Sequence, residues 1–188
     1  MKNLKTIAII AFAAIATISA SAQVKKVDLG KSKINWIGKK VTGQHEGTIN
    51  LKEGSLFFKD KKIVRGKFIV DMTSLTATDL EGDSRGKLNG HLKSEDFFGT
   101  EKNPTAMLIF KTVTEKSNGV YTITADLTIK DKTNPIAFIM TVNENTATTK
   151  LTIDRTKYDI KYGSGSFFDN LGDKAISNDF DLNVSLQF

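Results

Sequence analysis

YTITADLTIK, residues 121–130, places Tyr121, Ile123, Ala125, Leu127 and Ile129 on one set of alternate positions and Thr122, Thr124, Asp126, Thr128 and Lys130 on the other. Side chains of an extended strand point to opposite faces in turn, so this stretch reads as a strand with one dry side and one wet side. The same period of two recurs on both sides of it. Ile34 and Trp36, Ile49 and Leu51, then Phe68, Val70 and Met72 lead up to it. Ala106, Leu108 and Phe110 form one face of the block just before it, whose other face, Met107 and Ile109, is also apolar. Ile136, Phe138, Met140 and Val142 follow, then Leu151 and Ile153, and last Phe180, Leu182, Val184, Leu186 and Phe188. Turn formers punctuate these blocks at Gly43, Gly54, Asp60–Lys62, Ser117–Gly119 and Asn143–Asn145. About eight strands result, most joined by short antiparallel links. Eight amphipathic strands must bury one face and leave few open edges, and closing into a barrel does both. The expected fold is therefore all-β, an eight-stranded antiparallel barrel, with a two-sheet sandwich as the structural alternative. An eight-stranded barrel is either filled by side chains or holds one small ligand.

One region breaks the rhythm. Residues 73–105 are charged, with scattered apolar residues, and too long for a plain loop in a compact domain. This insertion is expected to carry short helices or serve as a lid. Ahead of the first strand, Lys2 and Lys5 precede the apolar run Ile7–Ile18, which ends in Ala20-Ser21-Ala22. That is the form of a secretory leader cleaved after Ala22. The run is shorter than the ~20 residues that span a bilayer. The expected division is thus a leader over residues 1–22 and one domain over 23–188. The chain has no cysteine, so it has neither a disulfide nor a lipidated Cys, and a periplasmic or secreted address fits. The leader holds two lysines and no acid, so a formal charge of +6 falls to +4 without it. The basic residues are scattered among acids, not massed in a stripe, which argues against nucleic acid as a partner.

Chemistry has little to build with. The two histidines are His45 and His91. Ser94 and Asp96 lie near His91 in sequence, but a triad is defined by geometry, and these pieces fit no reaction template. No enzyme is expected, and His91 reads as the brace of a loop. Two histidines with Glu46 do not match zinc spacing, so no metal site is expected. Asp79–Asp83 resembles the opening of a calcium loop, but the closing Glu position is Gly90. Tyr162-Gly163-Ser164-Gly165-Ser166 lacks a phosphate-binding lysine and reads as a turn before Phe167-Phe168. A small outer-membrane barrel, suggested by the alternating strand that ends in Phe188, is one alternative. Against it, Trp occurs once and Tyr three times, too few for interfacial aromatic girdles. A solid-core secreted barrel with a stress or interaction role is another, because periodicity does not separate a filled interior from a hollow one.

Several ordered segments resemble the YceI-like family of exported polyisoprenoid-binding proteins. They are Ser32–Trp36, Gly43–Gly47, Gly66–Leu75, His91–Phe98 with Asn103–Ala106, Asp126–Lys130 and Asp154–Tyr158. The resemblance runs from about Val27 to Phe188. It implies a lipocalin-like barrel whose apolar pocket takes an amphiphilic isoprenoid lipid, an isoprenoid quinone or a prenyl chain, with no required cofactor. Non-catalytic carriage or storage of that lipid in the periplasm is the implied role, without a membrane-spanning segment. A homodimer is left open. Strand parity together with the family architecture puts Trp36, Phe68, Val70, Leu108, Phe110, Phe138 and Met140 on the pocket wall. Leu88, Phe97 and Phe98 would seal its mouth. Three positions depart from the family pattern: Asp131 and Ala125 where Gly is common, and Lys31 where His is frequent, the last bearing on the polar end of the pocket.

Overall fold

The computed structural model describes residues 22–188. The expected leader lies outside them except for Ala22. The chain forms β1 (Ala22–Lys26), β2 (Lys33–Lys40), β3 (Gly43–Lys59), β4 (Lys62–Ala77), α1 (Gly82–Lys93), β5 (Thr105–Ser117), β6 (Val120–Ile129), β7 (Lys132–Val142), β8 (Thr146–Asp154) and β9 (Ile176–Gln187). Every pairing is antiparallel, and the ladder closes where β2 meets β9 through Ile34–Val184 and Trp36–Leu182. The result is a closed barrel of eight strand positions. The first position is shared by two strands, because β3 pairs its first part with β2 and its last part with β1. Sequence patterning missed β1: AQVKK has no apolar alternation, and Val24 is exposed.

Two further differences concern the connections. The insertion expected over 73–105 is shorter, because β4 runs on to Ala77, burying Leu75 and Ala77 on the barrel's inner face. It contains one helix, α1, followed by tight turns over Ser94–Asn103. It is also not the only long link: Arg155 to Ala175 joins β8 to β9 with two short 3-10 turns, Arg155–Tyr158 and Gly172–Lys174. The remaining hairpins are tight. At the β6–β7 turn both Lys130 and Asp131 adopt positive φ, 48° and 57°. That is the primed turn that suits the twist of adjacent strands, and Asp tolerates the left-handed region better than most residues. Asp131 is thus compatible with the hairpin at this position.

The strand parity read from 121–130 holds along β6: Tyr121, Ile123, Ala125, Leu127 and Ile129 are buried, and the threonines between them are half-exposed. The apolar face points into the barrel and the polar face points out, the reverse of an outer-membrane barrel. Inside, two groups of buried residues divide the barrel lengthwise. One is densely filled by Leu56, Phe58, Ile63, Phe68, Phe110, Tyr121, Ile123, Phe138, Met140 and Leu186. Its rings pack against one another, Phe110 edge to face with Phe138 at 5.9 Å and tilted against Phe68 at 5.6 Å. The other contains Ile34, Trp36, Ile49, Met72, Leu75, Leu127, Ile129 and Ile153 under the lid formed by α1 and the turns after it. Leu51, Leu108, Ile136, Leu151 and Val184 lie against both groups and form a waist between them. The interior is therefore solid in one half, and the other half holds the site.

Candidate functional site: a one-ended apolar cavity

Above the waist the barrel encloses a cavity of about 480 Å³. That falls within the range of small-ligand pockets, ~300–1,000 Å³. The strands supply its walls: Ile34 and Trp36 from β2, Ile49 from β3, Val70, Met72 and Leu75 from β4, Ala106 from β5, Leu127 and Ile129 from β6, Ile153 from β8, and Phe180 and Leu182 from β9. Trp36 is fixed by its indole N–H, which donates to the Thr48 carbonyl at 3.2 Å, and by Gly47, whose missing side chain leaves room for the ring.

The insertion covers one side. Leu88 and Leu92 of α1 and Phe97 and Phe98 beyond it face the cavity. The helix itself is weakly built. It contains Gly86 and Gly90, its Glu81 cap makes no side-chain bond, and none of its residues is buried. It is held by Asn89, whose side chain accepts from the Ala77 amide at 2.8 Å and donates to the Thr76 hydroxyl at 2.9 Å. The turn after it is firmer. Phe97 and Phe98 are 5% and 9% exposed, and Lys130 Nζ donates to the Glu95 and Phe97 carbonyls. The β6–β7 hairpin thus clamps the Phe pair from outside.

Phe97 is the hub of a small aromatic cluster. The His91 ring stands 5.0 Å from it, Tyr162 5.7 Å, and the Arg155 guanidinium 5.5 Å above its face. His91 and Tyr162 also meet edge to face at 4.6 Å. Arg155 is almost wholly buried and donates to three backbone carbonyls, Ser177 at 2.9 Å, Ile160 at 2.7 Å and Ile176 at 3.1 Å. Burial pushes its pKa below the usual value, against the pull of Asp154. This residue staples the β8–β9 connection to the start of β9. Next to it, burial, reinforced by the Asp154 charge, raises the Tyr158 hydroxyl to about 12, and that hydroxyl has no hydrogen-bond partner among the described residues.

Polar groups gather at the rim: Lys39, Lys40, His45, Asp173, Lys174, Ser177 and Asp179. His45 Nδ1 meets Asp79 Oδ2 at 2.8 Å, tying β3 to the link before α1. Burial raises the Asp79 carboxyl, but the His45 hydrogen bond and nearby backbone amides outweigh it, so Asp79 stays below the usual carboxylate range. The arrangement offers no nucleophile–base pair at His91. Ser94 Oγ donates to the His91 carbonyl, closing the end of α1, and does not reach the imidazole. Among the described residues no group of three or more acidic or histidine side chains is placed to hold a metal ion. None of the helices there is long and apolar enough to cross a membrane.

Of the residues singled out from sequence, Trp36, Val70, Leu88, Phe97 and Phe98 meet around the cavity. Phe68, Phe110, Phe138 and Met140 lie in the filled half, and Leu108 stands at the waist. Parity fixes which face a side chain is on but not its height along the barrel axis, and picking the bulkiest inward residues favours the end that is packed solid. Ile34, Ile49, Leu127, Ile129 and Ile153 carried the same parity signal. Tyr162 has no such signal, because Tyr162–Ser166 reads as a turn, and Arg155 stands out only through the family resemblance of Asp154–Tyr158. Lys31 is not at the polar end of the cavity: it sits in the bend between β1 and β2, paired with Asp28 at 3.2 Å.

Fold and cavity together define a lipocalin-like barrel, closed, antiparallel and hollow at one end. The chain belongs to the YceI-like domain family, whose profile matches residues 25–188. It is 33% identical over 90 residues to a UPF0312 protein of Shewanella denitrificans, a match covering 48% of this chain and 45% of that protein. The chain thus spans about half the length of the curated relatives it matches. Among solved structures, Burkholderia cenocepacia BcnA superposes with a TM-score of 0.70 at 22% identity, over 85% of this chain and 98% of that one. A polyisoprenoid binding domain from Saccharophagus degradans, implicated in plant cell wall breakdown, superposes at 0.58 with 15% identity, over 89% and 97%. At these identities the two structures speak for the fold.

Proposed function

We propose that this protein is a non-catalytic carrier of a long apolar amphiphile, an isoprenoid quinone or prenyl lipid, exported and acting outside the cytoplasm as one domain over residues 23–188. The observation that carries the reading is the cavity itself: about 480 Å³, walled mainly by aliphatic and aromatic side chains, with most of its polar groups at the rim and His91 and Arg155 beside Phe97. Enclosing apolar chain there removes area from water at roughly 25 cal/mol per Å², so each 100 Å² of lipid covered contributes about 2.5 kcal/mol without any directed polar contact. A rim of lysines, His45 and aspartates suits a head group that stays near water. The polyisoprenoid-binding domain of Saccharophagus degradans, similar in fold, supports the ligand class. The secretory form of residues 1–22 supports the address.

Organic extraction of the purified protein, followed by mass spectrometry, tests the ligand. An isoprenoid lipid in near-stoichiometric amount is expected. A clean extract, combined with no uptake of isoprenoid quinone or prenol from detergent, would sink the proposal. N-terminal sequencing of the exported protein, expected to begin at Gln23, tests the leader.

A further inference from the structure

Most of this chain's Phe, Tyr and Trp side chains are turned inward. Among the described residues three are exposed, and all fall within residues 162–168: Tyr162 at 47%, Phe167 at 49% and Phe168 at 51%. The loop that bears them is built, not loose. The Gly163 carbonyl accepts from the Ile176 amide at 2.8 Å. Ser164 is fully buried, donates to the Asn178 side chain at 2.6 Å, and its carbonyl takes the amides of both Phe167 and Phe168. Asn178 returns a bond to Ser166 at 2.8 Å. A rigid loop that holds two phenyl rings in water is a cost the fold has no internal use for. Clustered exposed apolar side chains of this kind mark an interaction surface.

Its position points to the partner. Tyr162 belongs to the cavity wall and to the Phe97 cluster, so the exposed ridge is continuous with the interior of the pocket. At the far end of the same connection, the Val41 amide bonds the Ala175 carbonyl at 3.1 Å, which sets Val41, 66% exposed, on the same end of the barrel. The rim between them carries Lys40 and Lys174, neither of which makes an ion pair among the described residues. Lys161 lies over the Phe167 ring at 5.2 Å, and Asp169 and Asp173 share the segment. Aromatic rings backed by lysines match the boundary layer of an anionic bilayer, where rings settle among the head groups and ammonium groups meet phosphates. A long-chain lipid also resides in a bilayer, so a cavity that takes one has reason to open toward it.

We infer that the open end of the barrel docks on an anionic lipid bilayer, with Phe167, Phe168 and Val41 entering the head-group layer and the cavity mouth facing the acyl chains. The inference takes its direction from the lipid-carrier reading, but its test is separate. Mature protein is sedimented with vesicles of phosphatidylethanolamine and phosphatidylglycerol. Binding is expected, weaker on vesicles of phosphatidylcholine alone. Half of each Phe ring's surface is already covered, so the Phe167→Ser/Phe168→Ser double variant should lower partitioning roughly tenfold to a hundredfold. Lys40→Ser and Lys174→Ser should each lower it roughly fivefold. The single Phe variants, each expected to lose several-fold, keep the test decisive if the double variant does not fold. Vesicle binding by the double variant equal to that of the parent, or no binding by the parent, overturns the inference. So does a parent that self-associates through this ridge, becoming monomeric in the double variant without ever binding vesicles. Loading with isoprenoid quinone from detergent, vesicles absent, reads the cavity alone. Normal loading without docking defeats only the docking inference, and docking without loading defeats only the carrier proposal.

Discussion

Ala106→Phe tests the division of the interior into a solid and a hollow half. Ala106 is buried on β5, its side chain facing the cavity, and pairs with Val70. In a close-packed core an added ring would cost about 1–3 kcal/mol through strain. Here it enters about 480 Å³ of open space. Burying a phenyl group contributes about 1.5–3 kcal/mol, and part of that is lost in fixing its rotamer. The net expectation is a small gain of about 1 kcal/mol, or a Tm higher by roughly 2–4 °C for a domain of this size. The ligand pays the opposite sign. A ring that takes over even ~100 Å² of contact removes about 2.5 kcal/mol from lipid binding, close to a hundredfold in affinity. Gly66→Ala is the control from the other half. A Cβ there would lie 2.6 Å from the Phe110 ring, so one added methyl group should lower stability by about 1–3 kcal/mol while the intact molecule still loads lipid. The two variants are compared by calorimetric melting of lipid-stripped protein and by titration with detergent-dispersed isoprenoid quinone. If Ala106→Phe melted several degrees lower and kept full affinity, the open half would be no more open than the filled one, and the partition would be wrong.

Gly47→Ala should prevent accumulation of folded protein, because its Cβ would run into the Thr76 carbonyl and lie 2.6 Å from the Trp36 indole; soluble yield and the near-ultraviolet signal of the single Trp report it. Arg155→Met takes a donor from the buried Ile160 carbonyl and from the half-buried Ser177 and Ile176 carbonyls and should cost about 3 kcal/mol in urea unfolding, with Arg155→Lys restoring little because an ammonium does not reproduce the planar fork. Asp71 is held below the usual carboxylate range chiefly by the Thr73 hydroxyl, and Asp181 by Lys39 and then Thr152. Their folded-state values lie below the unfolded ~3.9, so the stability they contribute is complete above that pH and is lost as pH falls through the lowered values. Melting temperature should therefore drop more steeply below about pH 4 in the parent than in Asp71→Asn/Asp181→Asn.

The barrel was legible in the alternation of Tyr121–Ile129 and its counterparts, because strand parity is a local property that tertiary packing seldom reverses. The site was legible by half. Trp36 and Val70 share the parity of Phe110 and Phe138, and nothing in a period of two records how far along the axis each strand has climbed. Leu88, Phe97 and Phe98 stood out through the length and charge of their segment, which is a composition signal. The β8–β9 connection escaped because Arg155, Tyr158 and Ile160 are buried without any repeat. Their place follows from long-range contacts, such as Arg155 with Ser177, that no short window contains. β1 escaped for a related reason: it is a strand by virtue of the edge that β3 offers, and its own residues carry no pattern.

The waist of Leu51, Leu108, Ile136, Leu151 and Val184 has a kinetic consequence. Amides beside Leu56 and Ile123, on the filled side, should exchange their hydrogens only when the whole barrel opens. Amides of Gly82–Lys93 belong to a glycine-bearing helix with no buried residue and should exchange through local opening that leaves the ladder intact. A lid that opens locally above a closed base would let the proposed lipid enter and leave while the barrel stays folded.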